Sequence, residues 1–176
     1  MTSTLPYTEE LFGILTDDNL YLDCVLVKPV GVTDEELRAI RVWVPKYPLT
    51  KSSVITCARQ EVKSHGQKRK VAHLVFDLRG TGDSDGVFDD EYSAQELSDI
   101  CATLAWIAAQ DWCTGAVGMM GKSWGGFNCL QAAALQPPAL KAVVSVCATT
   151  DRFADDIHYK GGCLMGENFA WGSLML

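Results

Sequence analysis

The stretch "AVGMMGKSWGGF", from Ala116 to Phe127, decides the fold of this chain. Its first half is a continuous apolar run, as expected of a strand covered on both faces, and its second half opens a helix. Between them lies the pattern G-x-S-x-G, in which glycines flank Ser123. A serine at such a junction lies on a sharp turn that directs its hydroxyl out of the sheet, and the glycines avoid clashes with neighbouring chain. The stretch therefore predicts that Ser123 is an exposed nucleophile and that the amide of Trp124 faces a developing oxyanion.

The rest of the chain extends this strand and helix into a sheet flanked by helices. The other predicted strands are Leu20 to Lys28, Ile40 to Val44, Ser53 to Ala58, Val71 to Leu78 and Ala142 to Ala148. Helices are predicted from Ser93 to Ala109, which a capping box of Ser93 and Glu96 opens, and from Trp124 to Leu135, before two prolines. Strands and helices alternate from Val71 onward, which predicts an α/β fold whose last three strands are parallel neighbours.

The first part of the chain is less regular. Residues 1–70 fit a strand-rich antiparallel edge, with one short helical pattern from Thr33 to Ile40. The basic segment "KSHGQKRK", Lys63 to Lys70, is predicted to be a solvated loop.

Composition narrows the classes of function. The chain has 176 residues with a formal net charge of -7, and it is 48% hydrophobic and 21% charged, as expected of one folded domain. The negative charge argues against a nucleic-acid partner. Because we find neither a signal sequence nor an apolar run of ~20 residues, we expect a cytoplasmic protein without a membrane partner. The seven cysteines include no C-x-x-C, so neither a disulfide framework nor a zinc site is predicted.

A second glycine-rich turn follows the strand at Val71. It reads "DLRGTGDSDG", from Asp77 to Gly86, but its glycines do not give G-x-G-x-x-G and no helix begins until about Ser93. Its aspartates would repel a pyrophosphate. We therefore interpret it as a structural turn in which Arg79 pairs with an aspartate, and not as a dinucleotide site.

Four stretches carry a resemblance to a known family. They are "FDLRGTGDSDG" (Phe76 to Gly86), "LAWIAAQDWCTGAVGMMGKSWGGF" (Leu104 to Phe127), "PPALKAVVSVCATTDRFADDIHYKGG" (Pro137 to Gly162) and "ENFAWG" (Glu167 to Gly172). In this order they resemble the X-prolyl dipeptidyl aminopeptidase and cocaine-esterase type of serine hydrolase, the CocE/NonD group of the α/β-hydrolase superfamily.

The resemblance implies a fold, a reaction and site residues. It implies an α/β-hydrolase-type, mostly parallel sheet with flanking helices, a small-molecule ester or peptide substrate, and no metal or organic cofactor. Ser123 matches the nucleophile and Trp124 the oxyanion amide donor. Residues 1–150 would be the N-terminal part of the hydrolase domain. Residues 151–176 would begin a helical cap, so that the chain stops before the cap is complete.

The resemblance also implies a second oxyanion donor, a tyrosine hydroxyl that follows an early strand. Tyr47 is the match here, although it lies between Lys46 and Pro48 and not in the Pro-Tyr pair of the family. A backbone amide near Ala58 or Arg59 is the alternative, if "SVITCA" is the strand before the oxyanion loop. The sequence leaves both donors open.

The three histidines predict that this chain alone lacks a working triad. His65 lies in the basic segment and is expected at the surface, and His73 is expected to pack within a strand. His158 is the only histidine after the nucleophile, and Asp151 or Asp155 could formally serve as its acid. These aspartates are too close to His158 in sequence for the usual arrangement on separate strand-end loops, and the resemblance assigns this segment to the cap.

Three functions remain open. The first is a serine hydrolase that cleaves acyl esters or amides through a covalent acyl-enzyme. The second is an X-prolyl dipeptidyl peptidase, which applies the same chemistry to one amide. The third, from another class, is a non-catalytic α/β module that retains the serine turn. The sequence does not determine the oligomeric state.

Overall fold

A computed structural model describes residues 5–175. Its strands are β1 (Tyr7–Leu15), β2 (Tyr21–Pro29), β3 (Ala39–Val44), β4 (Val71–Phe76), β5 (Val117–Lys122), β6 (Leu140–Val146), β7 (Tyr159–Lys160) and β8 (Cys163–Leu164). Its α-helices are α1 (Ile55–Glu61), α2 (Gln67–Arg69), α3 (Ala94–Ala108), α4 (Trp124–Ala134) and α5 (Glu167–Met175).

Strands β1 to β6 form one mixed sheet in the order β1-β2-β4-β3-β5-β6. The β3–β4, β3–β5 and β5–β6 pairs are parallel, whereas β1–β2 and β2–β4 are antiparallel. This confirms the α/β class and the antiparallel edge. The prediction that β4 and β5 are neighbours is wrong, because β3 lies between them. The apolar pattern of a strand does not specify its place in the sheet, and the apolar β6 lies at an edge with mostly exposed residues.

The helix that follows β3 was predicted as a strand. Residues Lys51–Ser53 form a 3-10 turn and α1 begins at Ile55, so the predicted strand Ser53 to Ala58 is wrong. Val54, Ala58 and Val62 are buried at intervals of four residues, which is the spacing of one helix face. Packing of this face against the sheet overrides the strand propensity of the β-branched residues.

The basic segment continues this helix. Residues Val62–Gly66 form a wider helical turn and α2 ends at Arg69, so the predicted loop from Lys63 to Lys70 is wrong in conformation. Its exposure is as expected, because Lys63 and His65 face solvent while Gly66 is buried. This helix has one buried stripe and a basic outer face, so it is polar on average. The sequence therefore shows no clear helical periodicity of apolar residues there.

Two further N-terminal elements differ from expectation. Strand β1 was not predicted, and it is an edge strand in which most residues are exposed. The helix predicted from Thr33 to Ile40 is only a 3-10 turn, Asp34–Glu36, after which β3 begins at Ala39. The local helical signal is lost because the chain must extend to pair with β4 and β5.

The sheet is covered by helices on both faces. Helices α3 and α4 pack on the face that carries Leu74 and Phe76 of β4, while α1 packs on the opposite face against Val75. The alternation along β4 follows from the period of two in a strand. This arrangement places the β5–α4 junction at the carboxyl end of the parallel strands.

Candidate active site

The β5–α4 junction is a sharp turn centred on Ser123. Ser123 is exposed and has φ 54° and ψ -117°, a conformation that non-glycine residues rarely adopt. Its amide donates to the carbonyl of Val146 at 2.8 Å, and its carbonyl accepts from the amide of Phe127 at 3.0 Å. The predicted tight, exposed turn at the carboxyl end of a buried strand is therefore confirmed. Such strained conformations cost about 1–3 kcal/mol and concentrate at functional sites.

Glycines allow this turn because three chain segments approach closely. A Cβ on Gly121 would lie 2.1 Å from the carbonyl oxygen of Gly125. A Cβ on Gly125 would lie 2.5 Å from the carbonyl oxygen of Val44, at the end of β3. The contacting atoms are backbone, so side-chain rotation could not relieve the clash.

An open cleft of about 350 Å³ borders the Ser123 turn. Its two carboxylates belong to Asp155 and Asp156. The Arg152 guanidinium Nε donates to Asp156 at 2.7 Å and its carbon lies 4.3 Å above the ring of Phe127. Asp155 makes no ion pair within residues 5–175. The cleft is lined by Ser123, Phe127, Cys147, Ala148, Thr149, Asp155, Asp156 and Ile157.

The amide of Trp124 is available to an oxyanion. Trp124 is the first residue of α4, and the first amides of a helix have no intrahelical acceptor. The positive end of the helix dipole adds to the attraction of an anion at this point.

Tyr47 lies at the same edge of the sheet as Ser123. Val44, the last residue of β3, pairs with Gly121 of β5, so the segments that follow these two strands leave the sheet side by side. The Tyr47 ring packs edge-on against Trp171 of α5, with centroids 5.2 Å apart, and its hydroxyl lies 3.5 Å from the carbonyl of Leu174. Tyr47 therefore follows β3, as the prediction of a donor after an early strand requires.

The alternative donor near Ala58 or Arg59 does not fit the structure. Both residues lie inside α1, and the Ala58 amide donates to the carbonyl of Val54 at 3.1 Å. That prediction depended on a strand from Ser53 to Ala58, which is a helix.

None of the three histidines lines the Ser123 cleft. His65 is exposed on the helical segment that precedes β4, at the opposite edge of the sheet from Ser123. His73 is buried in β4, where its Nδ1 accepts from Trp43 Nε1 at 2.7 Å and burial lowers the pKa of its imidazole to about 3. His158 is buried in the segment before β7, and its Nδ1 has no hydrogen-bond partner within residues 5–175.

Glu96 is a residue of this region that the sequence did not assign to the site. Ser93 Oγ accepts from the Glu96 amide at 3.1 Å, as predicted, but the Glu96 side chain does not return to Ser93. It points to α4, where its Oε1 accepts from Trp124 Nε1 at 2.7 Å. Burial raises the pKa of this carboxyl, against the lowering effect of that hydrogen bond. Glu96 lies four residues before the buried Ile100. This helical spacing is the signal in the sequence that Glu96 lies on the buried face of α3.

The second glycine turn is held by ion pairs. Arg79 pairs with Asp99 and Asp18, each at 2.7 Å, which confirms the predicted arginine–aspartate pair. Carboxylate oxygens of three aspartates lie within 4.8 Å of one another, and Nζ of Lys51 contacts all three at 2.5 to 2.8 Å; they are Asp23, Asp77 and Asp83. The lysine ammonium occupies the position that a cation would take.

No helix among residues 5–175 is both long enough and apolar enough to cross a bilayer.

Comparisons with known proteins agree with this geometry. Residues 58–176 match the family model described as X-Pro dipeptidyl-peptidase (S15 family). Cocaine esterase from Rhodococcus sp. (strain MB1 Bresler) is 36% identical over 109 residues, which cover 59% of this chain and 18% of that protein.

Solved structures extend the likeness to the fold. An alpha-amino acid ester hydrolase has a TM-score of 0.74 at 21% identity, over 97% of this chain and 30% of that one. A CocE/NonD family hydrolase from Staphylococcus aureus has a TM-score of 0.67 at 19% identity, over 85% of this chain and 29% of that one. The chain therefore has the α/β-hydrolase-type sheet, and it spans less than a third of each of these relatives.

Proposed function

Because the chain belongs to the X-Pro dipeptidyl-peptidase (S15) family, we propose that it carries the nucleophile of a serine hydrolase that cleaves acyl esters or amides. The family consists of hydrolases, and the assignment of the nucleophile is our own. One observation carries it: Ser123 is exposed in a strained turn between a buried strand and the amide end of a helix. The exposed hydroxyl and the helix amide beside it, together with the strained backbone, are what support a functional serine.

In the proposed reaction, Ser123 Oγ attacks the acyl carbon of a substrate in the cleft. The tetrahedral oxyanion accepts a hydrogen bond from the Trp124 amide. The Tyr47 hydroxyl, which donates to the Leu174 carbonyl in this structure, would have to turn from that carbonyl to supply a second hydrogen bond. Collapse of the intermediate expels the alcohol or amine and leaves an acyl-enzyme, which water then hydrolyses. A histidine must take the serine proton in the first step and return it to the leaving group.

The mechanism needs a histidine as its base, and no histidine lines the cleft of this chain. Because His65, His73 and His158 do not line the cleft, we propose that residues 1–176 alone turn substrates over only at the slow residual rate that binding and the oxyanion donors supply. Asp155 borders Ser123, but a pairing of Asp155 with His158 remains the less favoured arrangement. The prediction that the chain lacks a working triad stays a prediction.

An ester and an X-Pro amide are both substrates that this chemistry could use. The match to the family model favours the amide and the identity to a cocaine esterase favours the ester, and neither outweighs the other. Turnover of a p-nitrophenyl ester compared with an X-Pro-p-nitroanilide distinguishes them.

Covalent labelling tests the nucleophile directly. We expect a fluorophosphonate to add one equivalent to the protein slowly, measured by intact mass, because the exposed turn and the oxyanion donors favour attack by Ser123 even without a histidine in the cleft. Ser123→Ala should abolish labelling, and Ser64→Ala, which removes an exposed helix serine far from the cleft, should not.

Two outcomes would contradict the proposal. Labelling that persists in Ser123→Ala would assign the nucleophile to another serine. A folded wild-type chain that neither labels nor turns over either substrate would favour a non-catalytic α/β module, for which the histidine-free cleft is the supporting observation.

A further inference from the structure

A single buried carboxylate ties the helix that follows Ser123 to its neighbour. Glu96 of α3 accepts on Oε1 from Trp124 Nε1 at 2.7 Å and from Asn128 Nδ2 at 2.5 Å. Trp124 and Asn128 lie one turn apart on α4, so the carboxylate is bonded to both ends of its first turn. Glu96 is 6% exposed, and its Oε2 has no hydrogen-bond partner within residues 5–175.

The indole of Trp124 is held by aromatic packing against its ring and by the hydrogen bond at its nitrogen. It is 2% exposed and packs against the rings of Tyr92 and Phe88, with centroid distances of 4.7 and 5.8 Å. The apolar contacts supply burial, whereas the hydrogen bond to Glu96 sets how the indole is turned. Together they fix the orientation of the residue that carries the first amide of α4.

Stability alone does not account for a carboxylate at this position. Removing a charged group from water costs several kcal/mol, and an apolar side chain of similar volume would pack between α3 and α4 without that cost. The carboxylate provides a directional constraint, since charge-assisted hydrogen bonds hold donors at defined angles and distances.

We propose that Glu96 is a positioning residue for the Ser123 site. By holding the Trp124 indole and the Asn128 amide, it holds the first turn of α4 and therefore the main-chain amide of Trp124. This inference depends on the proposed function, in which that amide binds the oxyanion. An oxyanion donor acts over 2.7–3.1 Å, so a displacement of about 1 Å is enough to lose much of its effect.

Three variants separate positioning from packing. Glu96→Leu removes the acceptor and keeps similar volume, Glu96→Gln keeps one acceptor oxygen, and Glu35→Gln removes an exposed carboxylate on the 3-10 turn before β3. With a p-nitrophenyl ester, we expect Glu96→Leu to lower kcat about 10- to 100-fold and to leave KM within roughly twofold. Glu96→Gln should recover most of kcat, and Glu35→Gln should match the wild type.

A spectroscopic measurement tests the same inference without turnover. In ¹⁵N-labelled protein, Glu96→Leu should shift the indole proton of Trp124 and the amide resonances of Ser123 and Trp124. Hydrogen exchange of the Phe127 amide, which closes the first turn on Ser123, should become about tenfold faster. The amide of Met119, within β5, should keep its exchange rate.

Each measurement has an outcome that would contradict the positioning role of Glu96. First-turn resonances and kcat that are unchanged in folded Glu96→Leu would overturn the proposal. So would a loss of protection at Met119 equal to that at Phe127, because this would make Glu96 an anchor of the whole fold. If Glu96→Leu does not fold, Glu96→Gln decides: because an amide oxygen is a weaker acceptor than a carboxylate, the Phe127 amide must exchange measurably faster than in wild type while the Met119 amide does not.

The proposed function can fail separately. Equal turnover in Ser123→Ala and wild type would contradict the nucleophile assignment, and the spectroscopic result would then still decide whether Glu96 holds the first turn of α4.

Discussion

The reactive geometry of this protein is concentrated in a few residues whose conformations depend on distant contacts. Ser123 has a positive φ, and its amide bonds to Val146 of a neighbouring strand. The side chain of Trp124 is bonded to Glu96 on another helix. Tyr47 lies at the same end of the sheet because β3 pairs with β5. The placement of each residue is provided by neighbours that are distant in sequence.

Tyr47→Phe tests the second oxyanion donor. The change removes only the hydroxyl, so we expect kcat for a p-nitrophenyl ester, or the rate of phosphonylation of Ser123, to fall about 10- to 100-fold. The thermal midpoint should change little, because Tyr47 is half-exposed at the edge of α5. Tyr21→Phe, on an exposed position of β2, is the matched control. Equal effects of the two substitutions would remove Tyr47 from the oxyanion site.

At the scale of elements, the site is the meeting point of β3, β5 and α4. The end of β3 touches the first turn of α4 so closely that only glycine fits at Gly125. Helix α4 can then begin at Trp124, immediately after Ser123, which keeps the first amide of the helix next to the serine. A longer connection would move the start of α4 away from Ser123, and the amide of Trp124 would no longer lie beside the serine.

Gly125→Ala tests this junction. The added Cβ would lie 2.5 Å from a backbone oxygen, so we expect unfolding free energy to fall by about 1–3 kcal/mol or more in urea denaturation. Labelling of Ser123 should fall with it, because α4 must move. Gly118→Ala is the control within β5, since its Cβ would lie at an ordinary 3.7 Å from the carbonyl of Ala142. A fully stable Gly125→Ala protein would show that the junction tolerates displacement of α4.

At the scale of the whole molecule, two apolar layers pack against the sheet, and the imidazole of His73 is buried within it. His73 is 3% exposed and accepts a hydrogen bond from Trp43, so the folded state holds it neutral. Burial, with the nearby charges of Arg41 and Arg69, lowers the pKa of His73 to about 3, from about 6.5 in an unfolded chain. Between these values the unfolded state binds more protons than the folded state.

The stability of the protein should therefore fall as the pH falls. The contribution of His73 is fully present above pH ~6.5 and is lost toward pH ~3, by at most about 1.4 kcal/mol per pH unit. Urea unfolding between pH 7 and pH 4 should show a shallower pH dependence in His73→Gln than in wild type. His65→Gln, at an exposed position, should keep the wild-type slope. Parallel curves for all three proteins would refute the assignment.

The sequence by itself determined the features that are local along the chain. The apolar run from Ala116, the glycines around Ser123 and the helix that follows specify a strand, a sharp turn and a helix, because each depends on near neighbours. The alternation of strands and helices from Val71 likewise indicates the parallel α/β arrangement. The helices at Ser93 and Trp124 end close to their predicted boundaries for the same reason.

Only the tertiary structure decided which segments meet. It placed β3 between β4 and β5, converted the β-branched stretch after Lys51 into a helix that packs on the sheet, and brought Tyr47 to the edge of the sheet that carries Ser123. It also turned the Glu96 carboxylate from its own helix cap to Trp124. These outcomes depend on burial and hydrogen bonds between residues distant in sequence, whose free energies exceed the small local propensities that a sequence pattern records.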